Sequence, residues 1–164
     1  MKQDIQDVIE RDDFGGWVDV EVIRDGADGP KVIQRARSHN LVLNSGKKQT
    51  WRMAAGLNAN DWDQMRIGVN AGAAASGQTN VLSPVTGTIN TVDDKTLLAG
   101  TRTFQLVISY PSGAGSKSAT NIQEVVVLNQ NTSPGGSALM RATFTPVNKT
   151  TADKLKLTYN VRIT

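Results

Sequence analysis

The last eleven residues, Lys154–Thr164, read K-L-K-L-T-Y-N-V-R-I-T. Leu155, Leu157, Tyr159, Val161 and Ile163 alternate with Lys156, Thr158, Asn160 and Arg162 without a fault. Successive side chains of an extended strand point to opposite faces, so this stretch buries an apolar face only as a β-strand. The same period recurs upstream. Val18, Val20 and Val22 alternate with Asp19 and Glu21 in the segment Trp17–Ile23. Phe104, Leu106, Ile108 and Tyr110 share one side of Thr101–Tyr110, and Met140, Ala142 and Phe144 share one side of Ala138–Phe144, with Arg141 and Thr143 opposite. Asn121–Asn129 (N-I-Q-E-V-V-V-L-N) is a denser apolar run that suits a central strand.

Between these runs lie turn-forming clusters. Asp25–Pro30 (D-G-A-D-G-P) is a turn on composition, and Pro111–Ser116, Asn131–Ser137 and Pro146–Asp153 are turn-rich breaks. Val32–Leu43 predicts one or two strands closed by Asn44-Ser45-Gly46, and Met65–Val69 predicts a short one. Asn70–Asn80 reads as a surface loop, Asp93-Asp94 as a hairpin turn, and Thr150, Thr151 and Asp153 as the cap of another turn. Lys48–Leu57 is the best helix in the body, with Trp51, Ala54 and Ala55 on one stripe and Gly56 placed to stop it. Roughly six to nine short strands with such loops predict an all-β, antiparallel β-sandwich or jelly-roll-like domain with one short helix. Residues 1–13 form an acidic N-terminal arm or short helix with apolar positions at Ile5, Val8 and Ile9, ahead of a single β-rich domain over residues 14–164. Two or three helical turns are marginal alone, so the arm is expected to order against a partner.

Composition excludes several functions. No stretch approaches 18 apolar residues, so no membrane span is expected, and MKQDIQDVIERDD lacks the apolar core of a secretory signal. The chain has no Cys and one His, which removes thiolate chemistry, disulfides and multi-His metal sites. No phosphate loop, dinucleotide fingerprint, nucleophile elbow or HExxH motif is present. The expectation is a protein that is not an enzyme and has no cofactor and no metal.

The formal net charge of +3 hides an asymmetry. Residues 1–29 hold nine acids and three bases, whereas residues 30–164 hold fifteen bases and six acids. The two parts attract, within one molecule or between copies. Lys31, Arg35, Arg37, Lys47, Lys48 and Arg52 are the nearest approach to a basic patch. Most other bases are scattered singly, so a solvated face or a surface meeting acidic protein is expected, with no direct nucleic-acid contact.

Other candidates are local. His39 has only Ser38 for company, and neighbours on a strand face opposite ways, so no base–nucleophile pair forms. Asp61 and Asp63 flank Trp62 and would share a face of a strand, but nothing downstream completes a cation site or an acid–base pair. The D-G-A-D-G loop lacks the spacing and closing Glu of a calcium loop. Trp17, Trp51 and Trp62 are possible aromatic contacts and would be the stacking residues of a carbohydrate-binding module.

Several segments taken together carry a resemblance: Ser38–Ser45 (S-H-N-L-V-L-N-S) before a short helix, Met65-Arg66-Ile67-Gly68 before a small-residue loop, Asn121-Ile122-Gln123-Glu124-Val125, Leu139–Phe144 and Lys154–Ile163. The pattern, over about residues 35–164, resembles small structural proteins of tailed bacteriophages: tail, fibre-anchoring or minor virion components. It departs where Glu124 is followed by Val125-Val126-Val127-Leu128, a run in which relatives tend to place a Gly. The resemblance implies a β-rich structural protein located in the virion, assembled in the host cytoplasm, that forms a homo-oligomer and docks to other virion structural proteins. The acidic N-terminal stretch has no counterpart in that pattern, and there Ile5, Val8, Ile9, Asp12 and Asp13 would form a local partner-docking arm. Alternatives are a capsid decoration (cement) protein and a module that binds cell-surface glycan; no membrane contact is expected.

Overall fold

The computed structural model describes residues 14–56, 61–101, 103–113, 118–129 and 138–163. The expected arm, with Ile5, Val8, Ile9, Asp12 and Asp13, lies outside the described residues. Nine strands are present among those described: β1 (Phe14–Gly26), β2 (Gly29–Val42), β3 (Gln64–Gly68), β4 (Asn90–Thr91), β5 (Asp94–Leu97), β6 (Thr103–Tyr110), β7 (Ala119–Leu128), β8 (Ala138–Lys149) and β9 (Asp153–Ile163). One helix, α1 (Asn44–Ala54), follows β2.

The strands make one antiparallel sheet in the order β4-β3-β7-β8-β2-β1-β9-β6-β5, curled into a half-barrel. β2 joins its two halves. It pairs with β1 from end to end, Trp17 opposite His39 and Gly26 opposite Gly29, but meets β8 only through Asn40, Leu41 and Val42. Lower down, the Gln34 side-chain amide takes the place of a strand: its Nε2 donates to the Asn148 carbonyl at 3.0 Å and its Oε1 accepts from the Asn148 N–H at 2.9 Å. Residues 90–97 pass from one end of the sheet to the other. The Val92 N–H donates to the Asp63 carbonyl and the Asp93 N–H to the Val107 carbonyl, each at 2.7 Å.

Alternation in the sequence becomes a shared core. Val18, Val20 and Val22 of β1, Leu106 and Ile108 of β6 and Leu155, Leu157 and Tyr159 of β9 point inward from one half. Met65 and Ile67 of β3, Val125 and Val127 of β7 and Met140 and Ala142 of β8 meet them from the other. Each Val, Leu, Ile or Met side chain so removed from water contributes roughly 1.5–3 kcal/mol. Two tyrosines satisfy their hydroxyls across the interior. Tyr159 donates to the Val125 carbonyl at 3.3 Å, and Tyr110 reaches the Thr88 carbonyl at 2.9 Å and the Met65 carbonyl at 3.2 Å.

Three local expectations are revised. The helix spans Asn44–Ala54 instead of Lys48–Leu57. Asn44-Ser45-Gly46, taken as a turn, opens it, because Ser45 Oγ donates to the Ala138 carbonyl and Gly46 lies so close to β8 that a Cβ would fall on the Leu139 carbonyl. Gly56, with φ +68°, stands just past its end as expected of a C-terminal glycine. Asp93-Asp94 is no hairpin turn, since Asp94 opens β5 and Asp93 is bonded to β6. Pro146–Lys149, expected within a turn-rich break, continue β8. Val32–Val42 lies on one strand, within the one or two expected, turned from β1 by Ala27-Asp28 with Gly29 at φ +100°.

Candidate functional site

The outer face of β2-β1-β9-β6 gathers residues from four strands into a shallow groove of about 580 Å³. The valines of β1 point inward, so Trp17, Asp19 and Glu21 must point outward. Antiparallel pairing then sets rows across the sheet. His39, Trp17, Asn160 and Gln105 form one row; Arg37, Asp19 and Thr158 form the next; Arg35, Glu21 and Lys156 form a third.

The rows are internally bonded. Arg37 Nε donates to Asp19 Oδ1, Arg35 Nε to Glu21 Oε1 at 3.2 Å, and Trp17 Nε1 to Asp19 Oδ2 at 3.1 Å. An indole that reaches two residues along its own strand leans along the sheet and does not stand off it. Gln105 Nε2 donates to Asn160 Oδ1 at 3.0 Å, and Asn160 is buried although it faces outward. The acidic and basic parts of the sequence thus meet within one hairpin.

The remaining sequence candidates scatter. Lys31 pairs with Asp28 at the hairpin tip, while Lys47, Lys48 and Arg52 lie on α1. The six bases therefore occupy two elements. Trp62 is buried in the core, and the side chain of Trp51 lies outside the described residues. His39 is exposed beside Trp17, and the Ser38 hydroxyl donates to the His39 carbonyl. Asp61 pairs with Lys95 and accepts the Trp62 N–H. Burial opposes the Asp61 charge, yet these two donors hold its carboxyl below the usual range. Asp63 contributes its carbonyl to Val92, and its Oδ1 is buried without a partner. Among the described residues, no group of three or more His, Asp or Glu is placed to hold a metal ion.

A second feature escaped the sequence. Glu124 of β7 and Arg141 of β8 form an ion pair at 2.7 Å with both side chains 0% exposed. They lie on the outer face of their strands, away from the core, under the loop that joins β3 to β4. Glu124 accepts the N–H groups of Asn70, Leu82 and Ser83 at 2.9–3.2 Å, besides Nε and Nη2 of Arg141. Arg141 Nη1 donates onward to the Gly72 carbonyl at 2.9 Å and to Gln78 Oε1 at 3.2 Å. Gly68 lies so near Glu124 Oε1 that a Cβ has no room there. The only sequence signal was an acid inside an apolar run and a base inside an alternating one.

Near the β8–β9 turn a cavity of about 240 Å³ is bounded by Ile67, Val85, Tyr110, Ile122 and Lys149. Burial lowers the Lys149 ammonium from its ordinary range, and Asp153 counteracts this. Burial also pushes the Tyr110 phenol up. The hydroxyl is already committed to two carbonyls, so it is a structural donor.

No protein-family model matches the chain, and no curated protein or solved structure matches it either. The functional reading therefore stands on the geometry above and on the sequence pattern.

Proposed function

We propose that this chain is a non-enzymatic structural component of a tailed phage particle that docks to other virion proteins in the tail, baseplate or fibre-attachment region. The two halves of the curled sheet act as the layers of a sandwich-like frame, and the loops are the docking elements. The observation that carries this reading is the loop over residues 69–83, fastened by Glu124 and Arg141. A long polar loop held in one shape loses little entropy when a partner covers it. Val69 and Leu82 lie exposed on it, close to the Val69 N–H bond to the Ser83 carbonyl, and give that surface an apolar anchor.

Charge asymmetry supplies a second contact. Asp19 and Glu21 are paired within the hairpin, and in this reading the acids of residues 1–13 pair with bases on a neighbouring virion protein. Deletion of residues 1–13 is expected to leave the circular-dichroism spectrum and melting curve of the β domain unchanged and to abolish incorporation into particles. Full incorporation by the truncated chain would overturn the anchoring role. Gold labelling of assembled particles separates positions: a few copies at the tail support the proposal, and hundreds spread over the head would assign a capsid decoration role instead.

A further inference from the structure

We propose that the outer groove over β1, β2, β9 and β6 is a binding site for a neutral oligosaccharide, with the Trp17 ring as its platform. This inference goes beyond the docking role and does not depend on it.

Three features converge on that ligand class. The first is charge. The lining carries Asp19 and Glu21 against Arg35 and Arg37, paired one to one, so it neither attracts a polyanion nor repels a neutral guest. The second is the kind of polar group. Carboxylate, guanidinium, amide and hydroxyl stand side by side on Asp19, Arg37, Asn160, Gln105 and Thr158. Such a set offers both donors and acceptors, which a polyol ligand presents in return. The third is the aromatic ring. Trp17 is half-buried and tied by its N–H to Asp19, which fixes the indole along the sheet with its hydrogen bond already satisfied. A ring so held presents an apolar surface to the C–H face of a pyranose at small entropic cost.

The groove suits a ligand better than a protein strand. The two strands of its floor, β1 at Asp19 and β9 at Thr158, are each paired on both sides, so an incoming chain finds no free backbone edge there. Its volume of about 580 Å³ lies within the ordinary range for ligand sites, about 300–1,000 Å³. That space takes two or three sugar rings lying along the rows.

The test uses the full chain, labelled with nitrogen-15 and titrated with maltotriose, cellotriose, laminaritriose and chitotriose, with a sulfated disaccharide as the charged control. At least one neutral sugar is expected to give saturable amide shifts at residues 17–21, 35–39 and 158–160. Trp17→Ala is expected to weaken that binding at least about tenfold, equivalent to about 1.4 kcal/mol. Thr158→Lys fills the groove from an outward position without touching the core, and is expected to abolish binding even if the Trp17 variant fails to fold. Leu97→Ala, on an exposed edge away from the lining, is expected to change nothing. The proposal is overturned if none of the four neutral sugars shifts these amides at about 10 mM, a concentration that would reveal a millimolar Kd. Binding that survives Thr158→Lys, or binding confined to the sulfated sugar, overturns it as well.

Discussion

The molecule builds acid–base pairs on both halves of its sheet, and their surroundings differ completely. On β1 and β2, Arg35 and Arg37 are 72% and 70% exposed, and Glu21 and Asp19 lie beneath them in contact with water. On β7 and β8, Glu124 and Arg141 have lost all solvent and depend on each other and on five loop groups. The exposed ladder gains little, because water and salt screen it and two long side chains must be held in place. The buried pair is different in kind. Desolvating two charges is expensive, and the pair tolerates it only because nearly every lone pair and proton has a partner. A surface pair loses little when one partner goes; a buried one leaves a stranded charge.

The largest effect is expected from Arg141→Met, which strands a carboxylate away from water. The expected loss is about 3–5 kcal/mol, read as a fall in the urea midpoint. Amides within residues 69–83 should lose hydrogen-exchange protection before the rest of the sheet. Adding Glu124→Leu removes the orphaned charge but leaves the N–H groups of Asn70, Leu82 and Ser83 without an acceptor. The double variant should therefore recover only part of the loss. Full recovery would mean that the loop does not rely on this carboxylate.

An intermediate effect is expected at Asp153, where β8 turns into β9. Its carboxylate is almost fully buried and accepts from Arg24 at 2.7 and 3.2 Å, and from the Thr150 N–H and hydroxyl at 2.8 and 2.6 Å. The Arg24 hydrogen bond, outweighing burial, holds the carboxyl well below the usual range. A carboxyl whose folded pKa is depressed stabilises the fold above its unfolded pKa, about 3.9, and loses that contribution as the pH falls toward the folded value. Asp153→Asn should cost about 2 kcal/mol at pH 7 and progressively less below pH 4. A cost that stays constant from pH 7 to pH 2 would refute the assignment.

The smallest effect is expected from Arg35→Ala with Arg37→Ala. Melting curves at 0.15 M salt should coincide with those of the parent, and only low salt should separate them. A clear loss at physiological salt would show that the ladder is part of the stabilising frame and erase the contrast with Glu124–Arg141.

Much of the strand content was legible, because alternation reports a local property. β1, β6, β8 and β9 lie where Val18–Val22, Phe104–Tyr110, Met140–Phe144 and Leu155–Ile163 placed them. The turns at Asp25–Pro30 and Thr150–Asp153 were equally plain, since Gly, Asp and Thr act within a few bonds of themselves. Helix onset was less so. Asn44-Ser45-Gly46 suits a turn and a helix start alike, and the choice was made by the approach of β8, nearly a hundred residues downstream.

The candidate site divides the same way. Trp17, Arg35 and Arg37 were visible as single residues, but the groove exists because β9 and β6 bring Thr158, Asn160 and Gln105 beside them. Glu124 and Arg141 were read as positions on strands, with no hint that a loop would seal them.

The sequence by itself determined which residues alternate, which turns close the hairpins and where the opposite charges lie, because these are properties of neighbours along the chain. Only the tertiary structure decided that the sheet curls, that its ends are linked through Val92 and Asp93, and that one acid–base pair is buried while two others stay wet. Burial is a property of what packs on top, and for Glu124 and Arg141 that covering comes from residues 41 to 69 positions away in the chain.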